Sequence, residues 1–208
     1  HQSELERRSV QSELNILRSQ VNPHFLFNSL NNIDALIFED REKASSAIFL
    51  LSNIMRYMLK ESSEEKVRVD KELSYIEDYL ELAKLSFENP KFLLYEVSGR
   101  NLQKFIPPLL FIPIIENAVK HCNKKVNAPG IEIHIRFEND FISLKTSNYI
   151  KNGGIHIKDT GKELQHKNTG TGLKNVERRL KLLYNGNYTF EITRDTRKFD
   201  AYIKVPLA

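Results

Sequence analysis

Apolar side chains in the first 88 positions recur every three or four residues, which is the period of an amphipathic helix. The spacing predicts a helix over 24–37, a second from Ala44 to Leu59 and a third from Leu73 to Phe87, with Asp70 as the N-cap of the third. Further upstream, a spacing typical of a short coiled-coil seam joins Leu14, Leu17 and Val21. Such helices must bury their apolar stripes, so we predict a helical bundle completed by dimerisation.

The pattern changes after residue 88, where short segments rich in β-branched and aromatic residues alternate with two helical stretches. The predicted helices cover roughly 109–121 and 173–184. The predicted strands are 92–97, 131–137, 141–146, 188–193 and 201–205. The expected fold class is therefore α+β, with the helical bundle followed by a mixed or antiparallel sheet that helices cover on one face.

Composition divides the 208 residues at the same place. All 8 glycines lie at or after Gly99, and the formal net charge is −5 over residues 1–88 and +9 over residues 89–208. We expect a domain boundary at the Asn-Pro step of residues 89–90, giving domains 1–88 and 89–208. The total charge of +4 and the scattered basic residues argue against a nucleic-acid partner, and the single cysteine excludes an internal disulfide.

The sequence Pro-His-Phe-Leu-Phe-Asn at residues 23–28 is the first candidate for chemistry. On a helical wheel, His24 lies in the middle of a polar stripe that contains Asn28, Asn31 and Asn32, beside a strongly apolar face. The positive end of a helix dipole disfavours the charged imidazole, so a neutral, nucleophilic histidine is plausible there. Taken alone, the pattern more often describes a surface histidine.

A second candidate is the predicted helix at 109–121, which is apolar on one side. Its other side presents Glu116, Asn117, Lys120 and His121 within an arc of about 140°. An acid, an amide, an ammonium and an imidazole in this arrangement can hold a magnesium ion through oxygen and contact phosphate through nitrogen. An ordinary amphipathic helix with a solvated face fits the periodicity equally well.

The third candidate is the sequence Asn-Thr-Gly-Thr-Gly-Leu at residues 168–173, directly before the predicted helix at 173–184. Glycines at that place let backbone N–H groups approach an anion. The long, polar stretch from Asn148 to Lys167 precedes it and is typical of a lid. As a bare pattern, Gly-x-Gly is weak and also fits a helix-capping turn.

Taken together, these motifs resemble the sensor histidine kinases of the LytS/YehU type. The block at 23–28 is similar to the phosphoacceptor signature of that family, and the sequences at 51–59 and 67–79 are similar to the segments that follow it. Residues 106–121 resemble the N-box of the GHKL ATPase fold, and residues 170–180 resemble its glycine box. The similarity covers nearly the whole chain in family order.

The resemblance implies autophosphorylation of His24 by ATP and magnesium bound to the second domain, followed by transfer to an aspartate of a response-regulator receiver domain. It implies that Glu116 orients or deprotonates the imidazole, that Asn117 ligates the metal and that Lys120 and His121 contact phosphates. The remaining nucleotide-binding positions that it implies are Asn148, Gly170, Gly172, Leu173 and Asn175. A homodimer is the implied assembly.

Two departures from the family pattern leave a second hypothesis open. Asn148 and Ile150 stand where the adenine-reading Asp-x-Gly block is expected, and Phe-Asp-Ala at residues 199–201 replaces a Gly-Thr step. Asparagine still accepts a hydrogen bond from an adenine amino group, but it is neutral and binds more weakly. The alternative is a degenerate kinase that acts as a dimeric signalling scaffold with weak or no nucleotide turnover.

No apolar run in the sequence approaches the roughly 20 residues that span a bilayer. Kinases of this type carry membrane or sensory segments upstream. We therefore expect the chain to be the cytoplasmic portion of a protein that is anchored in the inner membrane through segments preceding His1.

Overall fold

The computed structural model describes residues 23–99, 103–151, 157–160 and 171–208, and the predicted coiled-coil seam lies outside them. The described chain combines helices with a mixed sheet, which confirms the predicted α+β class. The helices are α1 (Pro23–Glu39), α2 (Arg41–Lys60), α3 (Val69–Lys84), α4 (Ile112–His121) and α5 (Thr171–Tyr184). The strands are β1 (Val67–Arg68), β2 (Leu93–Ser98), β3 (Phe105–Ile106), β4 (Ile131–Glu138), β5 (Phe141–Tyr149), β6 (Ile157–Thr160), β7 (Thr189–Arg194) and β8 (Lys198–Pro206).

The described residues form two compact units. The helical unit comprises the chain up to Pro90 together with Phe105–Leu109, and the sheet unit comprises Lys91–Lys104 and Leu110–Ala208. The chain leaves the helical unit after Pro90, returns to it for the five residues Phe105–Leu109 and leaves again. A single boundary between residues 88 and 89 does not describe this return.

The helical unit is built from α1, α2 and α3, with α2 in contact with both of the others. Asp40 separates α1 from α2 and caps α2, since its Oδ1 accepts a hydrogen bond from the Lys43 backbone N–H at 3.0 Å. The ring of Phe25 on α1 lies 4.4 Å from that of Tyr79 on α3. The buried side chains repeat at helical spacing and include Ala44, Ala47, Leu51, Ile54, Leu73, Ile76, Leu80 and Ala83.

A buried carboxylate joins three parts of the helical unit. Glu72 on α3 is 1% exposed, and its Oε2 accepts hydrogen bonds from the Tyr57 hydroxyl at 2.5 Å and from the Leu109 backbone N–H at 2.9 Å. The returning segment is also held by the antiparallel pairing of β1 with β3. Leu109 has a backbone φ of 56°, which is unusual for a residue other than glycine. The hydrogen bond from its N–H to Glu72 helps hold the backbone in this conformation.

The sheet unit is built on a six-stranded sheet, counted over the described residues, with the order β2-β4-β5-β8-β7-β6. The β2–β4 pair is parallel and the other pairs are antiparallel. Alternate residues along β4 are fully buried, so one face of the sheet forms the core, and α4 packs on β4, on β5 and against α5.

Three local expectations need correction. Asp70 is not the N-cap of α3: Arg68 occupies that position, and Asp70 lies in the first turn, where it accepts hydrogen bonds from the Arg68 guanidinium. The strand predicted over 141–146 continues to Tyr149, because β8 pairs with it along its whole length. Residues 157–160, which we expected in a loop, form β6 and pair with β7.

Candidate functional site

The four polar residues predicted on one helix side are carried by α4. The buried residues of this helix are Ile112, Ile114, Ile115 and Ala118, which fixes the side that packs on the sheet. Glu116 and Asn117 are half-buried at the border of that side, whereas Lys120 and His121 are exposed in the last turn. Solvent exposure of the polar side chains therefore increases along α4, from the half-buried carboxylate and amide to the exposed ammonium and imidazole.

The surroundings of α4 change the acidity of two of these groups. Burial raises the pKa of Glu116 to about 7, and the positive charge of Lys120 opposes the shift. Protein atoms around the His121 ring lower the pKa of that imidazole, and the charges of Lys120 and Arg194 lower it further. Near neutral pH, Glu116 can therefore give up or accept a proton, and His121 favours its uncharged form.

Asn148 lies on the inner face of β5 and is 1% exposed. Its Nδ2 donates to the Tyr149 carbonyl oxygen at 3.4 Å, and its Oδ1 has no hydrogen-bond partner among the described residues. In the register with β8, Asn148 is opposite Phe199, and Thr146 is opposite Ala201. The two departures from the family pattern are therefore direct cross-strand neighbours.

The glycine motif is only partly described. Gly170 lies outside the described residues, and Gly172 lies inside α5, not ahead of it as we expected. A Cβ atom placed on Gly172 would meet no atom of the described chain within 4 Å, so local packing does not require glycine there. Leu173 is buried in the core, and Asn175 is half-buried one turn along the helix from Gly172.

His24 belongs to the first turn of α1, but its side chain lies outside the described part of the structure. The next residue, Phe25, contacts Tyr79 on α3, and the Ser29 hydroxyl donates to the Phe25 carbonyl oxygen at 2.9 Å. These contacts fix the helix directly after His24. Asn28, one turn away, is exposed as the wheel predicted.

The donor set on α4 suits magnesium bound together with a phosphate ligand. Magnesium usually keeps several waters and takes only one or two protein oxygens in addition to substrate phosphates. The half-buried amide of Asn117 offers one such oxygen beside the Glu116 carboxylate. Within the described ranges, no group of three or more His, Cys, Asp or Glu side chains could hold a metal by itself.

Sequence reasoning missed Glu72, Tyr57 and Thr146. Glu72 precedes Ile76 by four residues and Leu80 by eight, so an acid on an apolar stripe was a signal for a buried carboxylate. Thr146 has the same parity as the buried Ile142 and Leu144 of β5, which marks it as inward-facing. The two donors to Glu72, the Tyr57 hydroxyl and the Leu109 backbone N–H, come from distant segments, which periodicity does not show.

Comparison with known proteins gives the family. The family model described as Histidine kinase matches residues 12–92. The Sensor protein LytS of Streptococcus agalactiae serotype V is 31% identical over 203 residues, covering 94% of this chain and 34% of that protein. The Sensor histidine kinase BtsS of Escherichia coli K12 is 31% identical over 199 residues, covering 95% of this chain and 33% of that protein. The chain belongs to the LytS-type sensor histidine kinases.

The chain spans about a third of the length of these LytS-type relatives. Among solved structures, the Acinetobacter baumannii histidine kinase AdeS aligns over 100% of this chain and 98% of that one, with a TM-score of 0.46 and 17% identity. No helix among the described residues is both long and apolar enough to cross a membrane.

Proposed function

We propose that this chain is the kinase core of a two-component sensor, in which the γ-phosphoryl group of ATP is transferred to His24. The observation that carries the proposal is the polar side of α4, where a half-buried carboxylate with a pKa of about 7 lies next to an amide, an ammonium and an imidazole. Family membership and the position of His24 in the first turn of α1 support it.

In the proposed reaction, a neutral ring nitrogen of His24 uses its lone pair to form a bond to the γ-phosphorus. The bond from that phosphorus to the β–γ bridging oxygen breaks, and its electron pair leaves with ADP. The other ring nitrogen then loses its proton, and the ionised Glu116 carboxylate is a suitable acceptor because its pKa is about 7. This step needs alignment and charge neutralisation more than covalent assistance from the protein.

The remaining α4 residues have complementary proposed roles. The Asn117 amide oxygen holds magnesium, which when bound neutralises phosphate charge. The exposed Lys120 ammonium and the His121 imidazole contact phosphate oxygens. Asn148 reads the base, and residues Gly170, Gly172, Leu173 and Asn175 enclose the nucleotide at the start of α5.

The proposed partners are a second copy of the chain and the receiver domain of a response regulator. Large apolar side chains remain exposed on α1 and α2, which supports burial against a second copy. They are Phe27, Leu30, Ile37, Phe38, Ile48, Phe49, Met55 and Leu59. In the receiver, an aspartate oxygen attacks the phosphorus, the N–P bond breaks and the imidazole regains a proton. We place the chain on the cytoplasmic side of the inner membrane, anchored through upstream segments.

The direct test is incubation of the chain with γ-³²P-labelled ATP and magnesium. We expect acid-labile labelling of the wild type, loss of the label in His24→Ala and full labelling of His134→Ala. His134 is a suitable control because it alternates along β4 with the buried Ile133 and Ile135, so it lies on the face of the strand opposite the core that α4 covers. Equal labelling of the wild type and His24→Ala would overturn the assignment of the phosphoacceptor.

One observation favours the scaffold alternative. Asn148 and the Phe-Asp-Ala sequence at residues 199–201 lie together in the sheet, so both departures affect one place. Calorimetric titration with MgATP separates the two functions. Saturable, magnesium-dependent binding supports the kinase, whereas no heat of binding combined with an intact dimer supports the scaffold.

A further inference from the structure

The inner face of β5 changes from apolar to polar along its length. Ile142 and Leu144 are followed at the same parity by Thr146 and Asn148, and all four are at most 1% exposed. The polar end faces the side of the sheet on which α4 packs. Thr146 and Asn148 are therefore polar side chains on a face of β5 whose other buried positions, Ile142 and Leu144, are apolar.

Hydrogen bonding within the described chain does not account for these two side chains. The Thr146 Oγ1 and the Asn148 Oδ1 are buried and have no partner among the described residues. The Asn148 amide nitrogen donates to the Tyr149 carbonyl oxygen at the long distance of 3.4 Å, which is a weak hydrogen bond. Buried polar groups nearly always have a hydrogen-bond partner. Two unpaired oxygen atoms two positions apart on one strand therefore indicate a place where a ligand supplies the partner.

The chemistry of Asn148 differs from that of an aspartate in one decisive way. A carboxylate only accepts hydrogen bonds, whereas an amide offers one acceptor and two donors on groups of nearly equal shape. The substituent at C6 of a purine is a donor amino group in adenine and an acceptor oxygen in guanine. A carboxylate therefore selects adenine, but an amide satisfies either base by rotating through half a turn.

We propose that Asn148 is a specificity-determining residue that lets this chain bind both ATP and GTP. The inference rests on the proposed nucleotide site and deepens it by naming the substrate class as purine nucleoside triphosphates. In the observed rotamer the unpaired Oδ1 accepts from the adenine amino group. After rotation the Nδ2 donates to the guanine oxygen, and the long hydrogen bond to the Tyr149 carbonyl oxygen is given up.

The test is calorimetric titration of the 208-residue chain with MgATP and, separately, with MgGTP. We expect the two dissociation constants of the wild type to agree within about threefold, because each base finds one hydrogen bond to the amide. In Asn148→Asp, MgGTP should bind at least about tenfold more weakly than MgATP, since a carboxylate faces the guanine oxygen without a donor.

Two further variants complete the design. Asn139→Asp makes the same charge change in the exposed turn that precedes β5, at the end opposite Asn148, and should leave the ratio of the two constants unchanged. Asn148→Ala should weaken both nucleotides equally. Thermal unfolding of each variant verifies that it is folded.

The outcomes separate this inference from the proposed function. A wild type that prefers ATP over GTP by more than about tenfold overturns the inference and leaves the nucleotide site standing. An Asn148→Asp variant with the wild-type ratio overturns it as well. A chain that binds neither nucleotide overturns the proposed nucleotide site and the inference together.

Discussion

The hydroxyl of Tyr57 on α2 donates a 2.5 Å hydrogen bond to the carboxylate of Glu72 on α3, and both side chains are buried. Burial and the neighbouring Glu72 charge raise the pKa of Tyr57, so the phenol keeps its proton and acts as a donor. The same carboxylate oxygen accepts from the Leu109 backbone, which ties the returning segment to α3.

We predict that Glu72→Gln lowers the free energy of unfolding by about 2 kcal/mol, because two charge-assisted hydrogen bonds become neutral ones in a buried place. Urea titration followed by circular dichroism measures the change. Glu65→Gln makes the same charge change at an exposed position of the same unit and should shift stability by less than about 0.5 kcal/mol. Equal stability of Glu72→Gln and the wild type would contradict a role for the carboxylate.

Two glycines give a matched pair of Gly→Ala substitutions with opposite expected signs. At Gly130, a Cβ atom would lie 2.0 Å from the Phe92 ring, so Gly130→Ala should destabilise the chain by about 1–3 kcal/mol through overpacking. At Gly172, in the exposed first turn of α5, the added methyl meets open space, and Gly172→Ala should stabilise the chain by about 0.5–1 kcal/mol. Thermal unfolding measures both.

The same Gly172→Ala variant also tests the proposed nucleotide role of this residue. Its MgATP affinity should fall even though its stability rises, because the methyl group would occupy space that phosphate needs. A rise in stability with unchanged affinity would remove Gly172 from the nucleotide-binding set.

Glu116 predicts a pH dependence of stability. Between its ordinary pKa of 4.5 and its folded pKa of about 7, the folded chain holds a proton that the unfolded chain has released. Stability from this group is therefore fully present below about 4.5 and is lost as pH rises towards 7. We expect Glu116→Gln to gain stability relative to the wild type at pH 8 and less at pH 5.

Denaturant titrations at the two pH values measure this difference. Glu191→Gln, which removes an exposed carboxylate from β7 of the same unit, should show no comparable pH-dependent gain. The proposed proton transfer adds a kinetic expectation, since the rate of His24 labelling should rise as pH passes through 7. A flat profile in the wild type would argue against Glu116 as the acceptor.

The exposed apolar residues of α1 and α2 predict the assembly. We expect sedimentation equilibrium to give a mass near twice 24.2 kDa for the wild type. Phe49, which is 64% exposed on α2, is a suitable site, and Phe49→Asp should weaken self-association by at least about tenfold by placing a charge in the interface. Leu94→Asp, on strand β2, is the control and should sediment as the wild type does.

Helical periodicity was sufficient for much of this architecture. The stripe from Ala44 to Leu59 predicted α2 closely, because each apolar position in it repeats a local rule that needs no distant partner. The polar side of α4 followed from the wheel for the same reason. Local rules failed where the length of a strand depends on its pairing with another strand. The last residues of β5 are an example, because the pairing with β8 continues to Tyr149.

Capping and short strands were harder to predict. Asp70 has the usual chemistry of an N-cap, yet the helix begins one residue before it, because Val67–Arg68 pairs with a segment almost 40 residues away. A strand of two residues, such as β1, is too short to show the alternation of apolar and polar residues by which strands are predicted. The unpaired atoms of Thr146 and Asn148 were equally invisible, since hydrogen-bond satisfaction depends on what surrounds a side chain in space.

The return of Phe105–Leu109 to the helical unit limits how this protein can be recombined with its relatives. A chimera joined near residue 90 would combine Glu72 and β1 from one parent with Leu109 and β3 from the other. A junction after Leu109 keeps both ends of that hydrogen bond and both strands from the same parent. Exchange of modules in this family is therefore expected to tolerate crossovers at 109–110 better than crossovers near residue 90.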